Sequence, residues 1–344
     1  MAISVGILGA TGAVGQRLIQ VLDPHPEFEV RTLAASDASA GQPYNQAAKW
    51  RAATPIPEAI APLEVVSTDP EAIPSDVDLL FSSLPSAVAS EVEPALAEAG
   101  YLISSNSSNE RMSEDVPLII PEINADHLGL LDVQRDERGW DGGLLKNPNC
   151  STITMAPSLA GLRPFGIERV TVATLQAVSG AGYSGVTSME IIDNVLPYIG
   201  GEEAKVETEP TKLLGTFDGA RVEPFEVSIS ASCNRVSTLD GHLENVWVDL
   251  EEAPSLEEAS AAFGRLASGS LPSSPEPLIH VFDEPDRPQP RLDRERGDGM
   301  QITLGGLQTT NEGLQYNVLA HNTLRGAAGA SLLNGELLAA EGYL

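Results

Sequence analysis

The sequence predicts a doubly wound α/β domain joined to a mixed α+β domain, on three observations. An apolar run of strand length, Ile3-Ser4-Val5-Gly6-Ile7-Leu8, leads into Gly9-Ala10-Thr11-Gly12-Ala13-Val14-Gly15, after which Leu18, Ile19 and Leu22 recur at helical spacing. Strand-like apolar runs and a helical stretch keep alternating as far as residue 103. Beyond residue 150 the segments alternate polar and apolar with a period of two, as half-buried strands do.

Taken in order, the strand–glycine turn–helix context is what makes a glycine pattern a phosphate site. The glycines let the backbone approach a pyrophosphate, and the helix N-terminus faces its negative charge. The spacing is G-x-x-G-x-x-G rather than G-x-G-x-x-G, and a tight turn without ligand is the alternative. Residues 28–34 and 77–81 look like buried parallel strands. An alanine-rich helix over about 87–99 separates the second of them from Tyr101-Leu102-Ile103. Right-handed crossovers are expected.

Asn147-Pro148-Asn149 ends any preceding element, and Cys150 opens an apolar stretch carrying Ile153, Met155, Ala156, Leu159 and Leu162. A thiol at a helix N-terminus meets free N–H groups and the positive end of the dipole, which favour the nucleophilic thiolate. An inert, buried core cysteine is the alternative. Segments 169–175 and 244–250 are predicted as half-buried antiparallel strands. Val227 to Cys233 is strand-like, with Cys233 structural. Residues 271–299, rich in Pro, Asp and Arg, read as a long excursion ordered by the body of the protein or by another subunit, with a mobile loop as the alternative. Asn322 to Leu338 reads as an amphipathic helix carrying Leu324, Ala328, Leu332 and Leu333. There is no internal repeat.

Two cysteines in 344 residues argue against a disulfide framework. No His and Cys cluster has metal-ligand spacing, so no structural metal is expected. With no basic-then-apolar leader and no apolar run of membrane length, a cytoplasmic enzyme is expected. The formal charge is −29, from 49 acidic against 20 basic residues, and only Lys49, Lys146, Lys205 and Lys212 are lysines. The acidic residues are scattered, so this is a surface property that repels nucleic acid and anionic membranes. Such surfaces resemble those of proteins from salt-loving organisms. Stability and activity that rise with salt are expected.

Several short motifs, in one order along nearly the whole chain, resemble the aspartate-semialdehyde dehydrogenase family in its archaeal-type branch. They are Gly9 to Gly15, Ser104-Ser105-Asn106-Ser107-Ser108-Asn109-Glu110-Arg111-Met112, Ile120-Pro121-Glu122-Ile123-Asn124, and Asn147-Pro148-Asn149-Cys150-Ser151-Thr152. Gln176-Ala177-Val178-Ser179-Gly180-Ala181-Gly182, Asp193-Asn194-Val195-Leu196-Pro197-Tyr198-Ile199 and Gly201-Glu202-Glu203-Ala204-Lys205 follow. Asn234-Arg235 with His242, and Asn322-Thr323-Leu324-Arg325-Gly326-Ala327-Ala328, complete the set.

The resemblance implies a Rossmann domain (1–149 and 322–344) and an α+β catalytic and oligomerisation domain (150–321). It implies reversible, NADP-dependent reductive dephosphorylation of L-4-aspartyl phosphate to L-aspartate 4-semialdehyde, in lysine, threonine and methionine biosynthesis. Cys150 would attack the acyl carbon and expel phosphate, and the thioester would accept hydride. Of the five histidines only His242, seven residues after Arg235, falls on the motif. It would carry protons as a group titrating near neutrality. Gln176 matches the residue that orients the substrate. Arg235 and Glu203 match positions that hold the amino-acid end, and Arg111 and Lys205 those that bind phosphate. Gly9, Thr11, Gly12, Ala13, Val14, Ser36, Ser39, Ser179, Gly180 and Asn322 fall on cofactor positions. The partners implied are a small-molecule substrate, inorganic phosphate and further copies of the chain, as a homodimer or homotetramer.

One departure concerns the cofactor. NADP-binding members usually read Ser-x-Arg-Ser after the second strand, and this chain reads Ser36-Asp37-Ala38-Ser39. An acidic residue there is what NAD sites use on the ribose hydroxyls. The two serines still favour NADP, with NAD as the alternative. N-acetyl-glutamyl-phosphate reductase usually carries Asn-Pro-Gly-Cys-Tyr, which differs at two positions, and malonyl-CoA reductase is the closer rival. A nucleotide-binding regulatory protein is the rival outside enzymes, and the joint presence of Cys150, Gln176, Arg235 and His242 argues against it.

Overall fold

The computed structural model describes residues 2–266 and 270–344. The first sheet has six parallel strands: β1 (Ile3–Leu8), β2 (Phe28–Ala34), β3 (Val65–Val66), β4 (Leu79–Ser82), β5 (Leu102–Ser105) and β6 (Gly143–Lys146). Their order is β3-β2-β1-β4-β5-β6. The residues of β4, β5 and β6 are buried throughout, because helices cover both faces of a parallel sheet. Helix α1 (Ala13–Leu22) buries Leu18, Ile19 and Leu22, and α2 (Ser86–Glu98) and α3 (Leu130–Arg138) follow later strands.

Strand order reverses between β1 and β4, so the crevice beyond their carboxyl ends is where a doubly wound sheet takes its ligand. The glycine turn lies there. Gly9 has φ +75°, and a Cβ on Gly15 would sit 2.3 Å from the Gly9 carbonyl oxygen. Neither position accepts a side chain without moving the turn.

The second half contributes α4 (Cys150–Leu162), β7 (Ile167–Gln176), α5 (Glu202–Leu213), β8 (Thr216–Phe217) and β9 (Val222–Glu223). Then come β10 (Ser228–Arg235), β11 (His242–Leu250), α6 (Leu256–Gly264), β12 (Ile279–Val281), β13 (Ile302–Thr309), β14 (Gly313–Ala320) and α7 (Gly329–Ala340). The second sheet runs β10-β7-β11-β14-β13-β12, while β8 and β9 pair separately. It is mixed: β7, β11, β14 and β13 are antiparallel neighbours, whereas β10 and β12 join the edges in parallel. One face packs Val170, Val172, Val246 and Val248 against Met155, Leu159 and Phe263 of the helices. The other exposes Thr171, Ser230, Ser232 and Trp247, which accounts for the period-two alternation.

The 271–299 excursion packs on the body of its own chain, one of the two expected arrangements: Ile279–Val281 is an edge strand, and Arg287 pairs with buried Asp293. Arg294 also donates to the Asp240 carbonyl at 3.0 Å. One expectation needs correction. The C-terminal helix is not amphipathic. A π-helical turn spans Leu324–Ala328, and residues 329–338 of α7 are then buried on every side. The helix lies between α1 and β5, so both its faces meet protein. Its polar residues are bonded accordingly: Ser331 accepts from Asn147 (2.6 Å) and Asn106 (2.9 Å). Among the described residues no helix is long and apolar enough to cross a membrane.

Candidate active site

A cleft of about 310 Å³ opens at the crevice. Ala13 and Val14 line it from α1, Ser107, Ser108 and Arg111 from the loop after β5, and Cys150 from α4. Ser179 and Gly180, Lys205, Asn322 and the π-helical turn close the other sides. No side chain caps α1, so the N–H groups of its first turn stay available to an anion. Of the predicted cofactor residues, Gly9, Thr11 and Gly12 form the turn itself. Ser36 is exposed and Ser39 half-buried in the loop after β2, joined by a bond from Ser39 N–H to the Ser36 carbonyl.

Cys150 is the first residue of α4 and is half-buried. Two features differ from the sequence-based expectation. The Asn149 side chain caps the helix, accepting from Ser151 N–H (2.9 Å) and Thr152 N–H (3.3 Å), so those donors are not free for the sulfur. The thiol is also pushed up to about 12, by burial first and then by Glu202, while Arg235 and Arg111 pull it down. In this state Cys150 is a thiol.

His242, the first residue of β11, is fully buried behind Gly180. A Cβ on Gly180 would lie 2.8 Å from an Arg235 nitrogen and 3.4 Å from His242 Nε2, so a larger residue would have to displace the guanidinium. The Ala177 peptide holds both neighbours. Its N–H donates to His242 Nδ1 (3.1 Å) and its carbonyl accepts from Arg235 (2.8 Å). The Nδ1 bond fixes the neutral ring with its hydrogen on Nε2, which has no partner among the described residues. Burial, aided by Arg235, drives His242 down to about 3, so it does not titrate near neutrality as expected. It is a neutral donor. Arg235 is buried and has no ion pair among the described residues, which leaves its charge for a ligand.

Helix α5 supplies the other charges. Glu202 accepts from the Asn149 side-chain amide (2.9 Å) and from Lys205 (3.1 Å). Against the upward push of burial, Lys205 and Asn149 hold its carboxyl below the ordinary value. Glu209 accepts from Arg111 (2.8 Å) and from the Asn149 N–H (2.6 Å). Arg111 and Lys205 therefore reach the cleft already paired with carboxylates. Glu203 does not line the cleft: its carboxylate accepts from the Cys233 N–H at 3.2 Å, on β10. Glu202, one residue earlier, faces the nucleophile, and its i,i+3 spacing to Lys205 was the signal available in the sequence. Gln176 is buried at the end of β7, beside Arg235 in the parallel register, donating to Thr174 rather than lining the cleft. Cys233 is buried in the second core.

Glu244 was not foreseen. It lies two residues beyond His242 on the same face of β11, fully buried, with neither oxygen hydrogen-bonded among the described residues. Burial lifts its carboxyl well above the ordinary range, and the negative charge of Glu202 adds to the push. Two of the sequence motifs meet elsewhere, where buried Arg325 forms a bidentate pair with Glu122 (2.7 and 3.0 Å) below the π-helical turn. Asn322 ties Gly241 to Ser179, accepting from the former and donating to the latter at 2.8 Å each. Among the described residues no cluster could hold a metal ion.

Fold and site together define a dinucleotide-dependent oxidoreductase with a cysteine at its centre. Residues 4–131 match the semialdehyde dehydrogenase NAD-binding domain, and residues 159–325 match the semialdehyde dehydrogenase dimerisation domain. An aspartate-semialdehyde dehydrogenase from Archaeoglobus fulgidus is 53% identical over 342 residues, covering 99% of both chains. One from Schizosaccharomyces pombe is 40% identical over 354 residues, again 99% of each. The crystal structure of aspartate semialdehyde dehydrogenase with NADP from Candida albicans superposes with a TM-score of 0.90 at 38% identity, covering both chains fully. The chain belongs to the aspartate-semialdehyde dehydrogenase family.

Proposed function

We propose that the chain converts L-4-aspartyl phosphate to L-aspartate 4-semialdehyde, reversibly and with NADP, through a thioester on Cys150. The observation that carries this reading is the position of Cys150, between an uncapped phosphate-binding helix and the Arg235–His242 pair. Arg235 takes the substrate carboxylate, and Glu202, rather than Glu203, faces its ammonium. Arg111 and Lys205, charged but partnered, take the phosphoryl oxygens. Thiolate formation is favoured by Arg235 and Arg111. The sulfur then bonds to the acyl carbon, and the C–O bond breaks with its electron pair leaving on phosphate, which takes up the proton the thiol gives up. His242 donates from Nε2 to the oxygen of the tetrahedral adduct, where negative charge develops. Reduced nicotinamide, when bound, would supply the hydride that takes the thioester to the aldehyde level, after which the C–S bond would break and return its electron pair to Cys150.

NADP is supported by the NADP-bound relative and by Ser36 and Ser39, with NAD the alternative that Asp37 raises. The division into 1–149 with 322–344 and 150–321 is supported by two large hydrophobic clusters, the first of which takes in Leu332, Leu337 and Leu338, while a small one joins Ile120 and Ala330 to Ile153 and Leu213 across the boundary. Assembly as a homodimer or homotetramer is supported by the dimerisation-domain match. Exposed Tyr183, Met189, Ile192, Val195 and Tyr198, all within one segment of that half, also favour it.

The test is reduction of NADP, and separately of NAD, by aspartate semialdehyde plus phosphate in high salt, with Cys150→Ser alongside. Phosphate-dependent turnover that the variant loses supports the reading. A folded protein without turnover on either cofactor rejects it, and malonyl-CoA becomes the next substrate to assay.

A further inference from the structure

Helix α5 carries charged residues at 202, 205, 209 and 212, a spacing of three, four and three that places them on one face. The first three touch the cleft or the residues that line it. Lys212 does not. Its ammonium, buried in the protein, donates to three backbone carbonyls of one loop: Arg111 (3.0 Å), Ser113 (2.6 Å) and Val116 (2.6 Å). Three donors meet three acceptors, and no carboxylate forms an ion pair with Lys212 among the described residues. The same helix holds the Arg111 side chain through Glu209, which also accepts from the N–H of Asn149, next to Cys150.

We propose that Lys212 is a positioning residue that fixes Arg111, and with it the anion end of the cleft, in register with Cys150. The proposal rests on the reading of Arg111 as a phosphoryl contact. Glu209 and the Asn106 carbonyl restrain only the tip of a long flexible side chain. Lys212 restrains the backbone from which that chain springs, so one rigid helix sets the distance between nucleophile and anion site. A neutral substitute leaves the Arg111 and Val116 carbonyls without donors and Ser113 with the Val116 N–H alone, and the loop moves to find water. Deprotonation acts in the same direction, because a neutral amine has two N–H donors. Burial draws Lys212 down to about 8, and the loop carboxylates Asp115 and Glu114 oppose that. Arg111 on the loop, His127 on the neighbouring turn and Glu209 on α5 are the other charged or titratable groups around it.

The test compares Lys212→Met with the unaltered enzyme in phosphate-dependent oxidation of aspartate semialdehyde. The KM for phosphate is expected to rise about tenfold or more, with kcat at saturating phosphate within about threefold. Amide hydrogen exchange at residues 111–116 is expected to quicken while α4 is unchanged. In the unaltered enzyme the phosphate KM is expected to climb as pH passes about 8; this limb is absent from the variant and needs no variant to be seen. An unchanged phosphate KM with unchanged exchange at 111–116 overturns the proposal, as does a loss confined to kcat. If the unaltered enzyme shows no phosphate-dependent turnover, the functional reading fails. The exchange rates then decide the role of Lys212 by themselves, and unchanged rates overturn it.

Discussion

The Asn149 side-chain amide donates to Glu202 Oε1 at 2.9 Å, so the residue preceding the nucleophile is pinned to the helix that carries the charges of the site. Its backbone N–H is held from the same helix by Glu209. Two carboxylates beside a thiol work against a thiolate. They are tolerable because Lys205 and Arg111 each neutralise one of them.

Glu202→Gln removes a negative charge that raises the Cys150 pKa, so the thiol becomes more acidic by roughly one pH unit. At a fixed pH near 8, iodoacetamide labels Cys150 faster in this variant, while turnover falls tenfold or more, on the order of a lost substrate contact. Glu203→Gln does neither. Labelling rates and kcat/KM for the two variants measured side by side check the reassignment, and equal effects refute it.

The loop after β2 exposes Asp37 and Ala38 where a 2′-phosphate would be read. Ala38→Arg offers that phosphate a charged, bidentate donor and lowers the KM for NADP by about tenfold while leaving the KM for NAD nearly unchanged. Steady-state kinetics with each cofactor measure it. A change shared equally by both cofactors would place the discrimination elsewhere.

Lys146 and Lys212 are buried and Lys205 is half-buried, which leaves Lys49 as the exposed lysine of a chain with 49 acidic residues. Self-repulsion over such a surface weakens as salt screens it. The melting temperature is expected to rise between about 0.1 M and about 2 M KCl, where the Debye length falls below about 3 Å. Equal melting temperatures at the two ends would remove the argument.

Glu244 gives a pH dependence of opposite sign to that of a salt-bridged carboxylate. Its folded pKa lies above the unfolded value of about 4.5. The folded state therefore keeps a proton that the unfolded state loses, and this group's contribution to stability falls as pH rises above that value. Glu244→Gln mimics the protonated acid. The variant is expected to melt above the unaltered protein at neutral pH, by a margin that shrinks towards pH 4. A margin that grows on acidification would show Glu244 to be ionised in the fold.

Much of the architecture was legible because period and punctuation are local: the glycine turn, the buried strands and the cysteine at a helix start are each written within a dozen residues. The site was legible chiefly through motif order. Glu203 was preferred to Glu202 because adjacent identical residues differ only in which helix face they occupy, and that depends on what α5 packs against. The burial that moves Cys150 and His242 from their ordinary titration ranges is likewise a tertiary property. So is the burial of α7, whose sequence shows apolar spacing yet carries polar residues that fit both an open face and a hydrogen-bonded interior. Lys212 continues a charged face of α5 and Glu244 opens the alternating segment 244–250, but neither pattern says that the residue is buried; only the carbonyls folded around Lys212 and the packing around Glu244 do.

Helix α7 packs between α1 and β5 although the whole of α4 to β14 separates it from them in sequence. During synthesis the glycine turn and its sheet emerge before that intervening half, yet they cannot bury their apolar surface against α7 until all of it has been made. The cofactor-binding half is thus begun before the catalytic half and completed after it. A stalled or truncated chain leaves that surface open to chaperones and proteases, whatever state the cysteine site has reached.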